Sequence, residues 1–163
     1  MPRDAAPPDL WTFALACYAR PGVEDACLQL QGAGADVCLL LCGAWLQARE
    51  VACTPPRVAQ LRAVADSWQR EVVTPLRDLR SGWREAAAGD GELAALRKAV
   101  KALELEAEKT LLARLQQASR QWPTGAGQHD WLERLAPAAS PACEASRKRL
   151  RAAAEETQLS LAG

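Results

Sequence analysis

Isoleucine and asparagine are absent from this 163-residue chain, and histidine, tyrosine, phenylalanine and methionine occur once each. Valine is sparse too, while alanine and leucine dominate, and a chain so poor in β-branched residues favours helix over sheet. The charge excess of either sign is also missing: 20 basic and 20 acidic side chains cancel. No whole-molecule field recruits a polyanion or an anionic membrane, so nucleic acid is a poor partner for the molecule as a whole. Arginine outnumbers lysine, but beside the missing Ile and Asn and the abundant Ala this reads as GC-rich coding bias. The longest apolar run, 37–46, is about half the roughly twenty residues that a membrane span needs. The segment 1–9 has three prolines and no apolar core of a signal peptide. These absences lead to an expectation of a cytoplasmic protein with no membrane partner, its six cysteines kept as thiols.

At this length one domain can bury a real core without metals or disulfides as staples. Asp9 is placed to cap a first helix over 10–19, which Pro21-Gly22 ends. A second, over 23–31, presents Val23, Ala26, Cys27 and Leu30 at helical spacing until Gly32-Ala33-Gly34 breaks it. Asp36 caps a third. Its residues 37–46 are apolar on every face, so this helix should lie at the centre of the fold.

Thr54-Pro55-Pro56 opens a longer element. Val58, Leu61, Val64, Trp68, Val72, Leu76, Leu79 and Trp83 recur at steps of three and four, in phase through Pro75. The unbroken phase predicts one helix kinked near Pro75, whose ring collides with the carbonyl of Glu71. After the turn Gly89-Asp90-Gly91 a second stripe runs Leu93, Leu96, Val100, Leu103, Ala107, Leu111, Leu115, Ala118 and Trp122. Its step of about 3.6 residues fits a nearly straight bundle helix rather than a coiled coil. A short turn at 130–135 then leads to Ser140-Pro141, an N-cap and first-turn pair for a last helix with a weak stripe, expected to pack loosely on the hairpin.

Cys38 and Cys42 stand four apart on one helix face, a spacing that can present two thiolates to a soft metal, with Cys17 and Cys27 as further ligands. No C-x-x-C occurs, the one His is remote, and apolar surroundings disfavour thiolate, so packing is the favoured reading and no metal or cofactor is assigned. His129, beside Asp130 in a Gly-rich stretch, has no nucleophile in a supporting motif and reads as a loop residue rather than a general base. The basic run Arg147-Lys148-Arg149-Leu150-Arg151 reads as a solvated helix face, with phosphate or RNA contact as the alternative. Of the six tryptophans, Trp68, Trp83 and Trp122 lie on the long stripes and read as core. Trp11, Tyr18 and Trp45 belong to the N-terminal unit and, with Asp36, either pack there or line a pocket.

The run 9–31, opening Asp9-Leu10-Trp11-Thr12-Phe13 and continuing through Tyr18, Pro21-Gly22, Cys27-Leu28 and Gln31, resembles the bacterial family of proteins of unknown function numbered 2390. Asp36-Val37-Cys38, Cys42 and Trp45-Leu46 extend the resemblance. It implies a short, cytoplasmic, largely proteobacterial protein and brings no reaction with it. The family pattern often has Asn where this chain has Cys38, which implies that the position is not an obligatory thiolate ligand.

The expected fold is all-α and a single domain over 1–163: a nucleus of three short helices (9–52) packed on a long antiparallel helical hairpin (55–122), with a C-terminal helix (137–161). No catalytic residue is assigned. The expected function is a non-enzymatic interaction module that holds a protein partner or a second copy through the exposed stripe, marked by Leu96 and Leu103, or through a groove between hairpin and nucleus. The alternative is a small-molecule or cofactor binder with a pocket at Trp11, Tyr18, Asp36 and Trp45.

Overall fold

A computed structural model describes residues 9–136 and 140–162. The fold is all-α: α1 (Leu10–Tyr18), α2 (Val23–Gly32), α3 (Val37–Ala48), α4 (Pro55–Trp68), a π-helical turn (Gln69–Val73), α5 (Thr74–Gly82), α6 (Arg84–Ala88), α7 (Gly91–Ser119), α8 (Trp131–Leu135) and α9 (Pro141–Ala162). Local chemistry sets most of the helix starts. Asp9 accepts from the Thr12 amide at 2.8 Å, Asp36 from Leu39 at 3.1 Å, Asp90 from Glu92 and Leu93, and Ser140 from Cys143 at 3.1 Å. Each satisfies a donor that the helix cannot. Gly22 begins α2 at φ 80°, a left-handed conformation that a side chain resists.

The apolar helix α3 is central, with every residue from Cys38 to Leu46 buried. It is surrounded by α1, α2, α4, the proximal part of α7, α8 and α9. Gly43 lets α8 approach, since a Cβ there would stand 2.6 Å from Leu135 Cδ1. The core is built on Phe13, Leu40, Leu61, Leu111, Trp131 and Leu150, all without solvent exposure.

Three expectations need correcting. The long element 55–88 does not stay in α-helical phase past Trp68. The Thr74 amide donates to the Gln69 carbonyl, five residues back, so the chain takes one extra residue before Pro75 enters the helix. That residue turns everything after it by about 100°. Val73, Arg77 and Arg80 turn inward, Val72 and Leu76 stay half-buried, and Leu79 turns outward. Val73 is fully buried, Leu79 is exposed, and Arg77 and Arg80 meet Glu104 across the hairpin. On α7 the same seam runs through Glu104, and Leu96 and Leu103, expected on the exposed stripe, do point outward at 58% and 55% exposure.

The segment 130–135 is not a mere connecting turn. Trp131, Leu132 and Leu135 of α8 are buried against α3, and the Trp131 indole donates to the Val51 carbonyl at 2.7 Å. The chain before α8 is stitched to 47–53 by a Val51–Thr124 bridge and by bonds from Gly125 to Glu50, Cys53 to Gln128, Thr124 to Arg49 and Leu132 to Gln47. Finally, α9 packs on α2, α3 and α1 rather than on the hairpin, and it buries Cys143, Leu150, Ala153, Ala154 and Thr157. The proposed start of this helix at 137 lies outside the described residues, as do residues 1–8.

Candidate cleft at the hairpin elbow

A helix of 29 residues, about 44 Å at 1.5 Å each, outreaches the short helices beside it, and α7 buries no side chain before Glu104. The distal hairpin, α5 and α6 against α7, therefore projects from the core. Where it leaves, it forms a cleft of about 960 Å³ with the N-terminal unit. One wall is apolar: Trp11, Leu15 and Tyr18, at positions i, i+4 and i+7 of α1, with Leu28 of α2. The base is the start of α3, with Asp36, Val37, Cys38 and Leu41. The opposite side comes from Gln69 of the π-turn, Arg77 and Arg80 of α5, and Glu104, Leu105 and Glu108 of α7. Leu15, Leu28 and Leu105 are each more than half exposed at its mouth.

Asp36 joins the base to the far wall. Its Oδ1 accepts from Leu39 and from the Gln69 side-chain amide at 3.2 Å, which ties the cap of α3 to the first residue of the π-turn. Its Oδ2 is buried with no hydrogen-bond partner among the described residues. Burial raises the Asp36 carboxyl above its usual value, against the lowering pull of those donors. Burial likewise raises Glu108, outweighing Arg77, whose guanidinium is 3.3 Å away. Glu104 differs. Burial would raise it too, but hydrogen bonds from Arg80, at 2.5 Å, and Arg77, at 3.2 Å, more than offset that and hold it low.

Of the four pocket candidates, Trp11, Tyr18 and Asp36 line this one cleft. Trp45 does not: it is 4% exposed, and Arg49 stacks on its ring at 4.3 Å. On a helix that is apolar all round, one face had to meet solvent near the end, and Arg49 closes it. Tyr18, on the apolar wall, is raised by burial first and then by Glu24, Cys27 and Glu108. Leu96 and Leu103 lie about 200° round α7 from Leu105 and face away from the cleft.

The chemistry-bearing residues outside the cleft have structural partners. All six thiols are buried, and burial pushes Cys27 and Cys42 up to about 12 and Cys53 to about 11. Cys38, on the cleft base, is raised well above its usual value by burial and then by Asp36 and Glu108. Among the described residues no three His, Cys, Asp or Glu side chains converge on a metal position. His129 bonds the Gly125 carbonyl at 2.8 Å within its own linker. In the basic run, Arg149 donates to the Pro21 carbonyl, Arg151 pairs with Glu133 and Lys148 with Glu144. No helix among the described residues is long and apolar enough to cross a membrane.

Sequence reasoning passed over Gln69, Arg77, Arg80, Glu104 and Glu108. The pairing of Arg77 and Arg80 with Glu104 becomes visible only when the π-turn sets the register. A proline at the fourth position after Glu71, inside an otherwise unbroken helical stretch, was the one signal that the register had to give way. No curated protein and no solved structure matches the chain. The family model described as "Protein of unknown function (DUF2390)" matches residues 9–115, which carry α1 to α6 and most of α7 with every residue of the cleft, and the chain belongs to that family.

Proposed function

We propose that this protein is a non-enzymatic binding module of the bacterial cytoplasm and that the cleft at the hairpin elbow holds a segment of a protein partner. One observation carries the reading: an open cleft of about 960 Å³ whose two walls present Leu15 and Leu28 on one side and Leu105 on the other, each more than half exposed. Apolar side chains facing each other across a groove are the arrangement into which an amphipathic segment lays its own apolar face. Among the described residues Cys38 is the one cysteine lining the cleft, and burial with Asp36 and Glu108 nearby disfavours its thiolate. Six buried free thiols suit a reducing compartment.

The test is site-directed photocrosslinking in cells, with a benzophenone side chain at Leu28 or Leu105 and a control at Leu159, 75% exposed on α9. The reading expects a discrete protein adduct from the two cleft positions that Leu15→Glu abolishes, and none from Leu159. Equal labelling from all three positions, or none from the cleft, overturns it.

A small-molecule ligand is the second reading, favoured by the convergence of Trp11, Tyr18 and Asp36 on one cavity of ligand size. It expects a metabolite screen to find a compound that changes tryptophan fluorescence and raises Tm by mass action. A screen with neither effect counts against it.

A further inference from the structure

The cleft carries more acid than it neutralises. Arg80 directs both its Nε and its terminal nitrogen at Glu104, and Arg77 gives its Nε to Glu104, leaving only a terminal nitrogen, 3.3 Å away, for Glu108. Two guanidinium groups thus converge on the one carboxylate that is already well satisfied. Asp36 and Glu108 are left with little. Asp36 Oδ2 has no donor among the described residues, and both acids line the cleft, Asp36 at its base and Glu108 on the far wall. Tyr18, on the apolar wall, feels Glu24 and Glu108. A carboxylate with so few donors leaves charge for a cation to meet, and the Glu108 side chain, 30% exposed, can be reached from the cleft. The wall opposite Glu108 is aromatic and aliphatic; Lys109 already stands 5.2 Å over the Trp11 ring, so Tyr18, Leu15 and Leu28 are left to take the alkyl stem of a long basic side chain.

We infer that the partner segment held in the cleft is apolar with one central lysine or arginine, whose stem lies along Tyr18 and Leu28 and whose charged end meets Glu108, with Asp36 at the base. The inference rests on the binding-module reading and adds the chemistry of the occupant. Glu108 is the contact that selects for the cation. Asp36, fixed by Leu39 and Gln69, supplies the second negative charge.

The experiment selects a phage-displayed library of randomised twelve-residue peptides on the full-length chain and keeps those that Leu28→Glu no longer binds. The inference expects one position in the retained peptides to be dominated by Lys or Arg. Replacing that residue by norleucine in a synthetic peptide should weaken binding at least tenfold on the wild-type chain and less than threefold on Glu108→Gln. Glu106→Gln, the same change at an exposed position of α7 outside the cleft lining, should keep the tenfold discrimination and so separates loss of Glu108 from a general change in charge. Retained peptides without a basic position, or an equal norleucine effect on wild type and Glu108→Gln, overturn the inference and leave the binding module standing. Failure to retain any Leu28-dependent peptide overturns both.

Discussion

The matched family segment ends at residue 115, yet Trp131, sixteen positions later, is the largest side chain with no exposure. Replacing it tests whether the core depends on what lies beyond that segment. The indole fills the space between α3 and the 47–53 strap, stacks on Trp122 with ring centroids 5.8 Å apart, and donates to the Val51 carbonyl. Trp131→Phe keeps most of the volume and removes the donor, leaving a buried carbonyl unmet at a cost of about 1–3 kcal/mol. Trp131→Ala adds the cavity, and removal of a buried large aromatic costs about 3–5 kcal/mol. The alanine variant should therefore lose roughly 4 kcal/mol, a large share of the 5–15 kcal/mol typical of a whole domain, and its Tm should fall by about 10–15 °C. Urea unfolding is the assay, read as a lower midpoint at unchanged slope. A loss below about 1 kcal/mol for Trp131→Ala would refute the assignment of α8 to the core and make it an appendage.

Glu104→Gln should destabilise by about 1–3 kcal/mol, less than a fully buried pair because Arg77 is a third exposed. Since Arg80 and Arg77 hold Glu104 low, its contribution is present above the ordinary glutamate value of about 4.3 and is lost as pH falls through the lowered one. The gap between wild type and variant in urea midpoint should close with acidification, and a gap that stays constant to the lowest pH contradicts the assigned ionisation. The six thiols should react with an aromatic disulfide only at the rate of unfolding, and a thiol that reacts promptly in the native protein would show that the base of the cleft opens. Leu96→Glu with Leu103→Glu should shift the urea midpoint by less than the equivalent of about 0.5 kcal/mol per site, because both side chains already face solvent. A large loss would return them to an interface. Deleting Arg70 from the π-turn should restore α-helical phase and turn Arg77 and Arg80 away from Glu104, so that Glu104→Gln, made on that background, costs nothing further.

What could be read from the chain was whatever local chemistry decides. Asp9, Asp36, Asp90 and Ser140 cap where their side chains must, and the all-apolar α3 could only be central. Trp11, Tyr18 and Asp36 were readable as neighbours because turns of four residues each hold α1, α2 and α3 together. Trp45 was not separable from them by pattern, since a helix without a polar face gives no direction for any one side chain. The burial of α8 left no trace in its own five residues. It depends on Gly43, whose missing Cβ admits Leu135 from more than ninety positions away.

Leu79, 42% exposed, shows how far a correct period can mislead. It lies on a stripe of helical spacing, and the reasoning that faced it inward was sound for an α-helix without interruption. Pro75 breaks that premise. It has no amide for the Glu71 carbonyl and its ring crowds the preceding turn, and the π-turn relieves both by lengthening the loop of backbone that must close there. The price of one residue is the rotation of the whole distal arm, which trades an apolar seam for Arg77, Arg80 and Glu104. That exchange weakens the hairpin as a core element and opens it as a wall: charged side chains that would have pointed to solvent now line one side of the cleft, opposite Trp11 and Leu28. A binding surface that depends on this arm therefore traces back to a single proline and the turn that accommodates it.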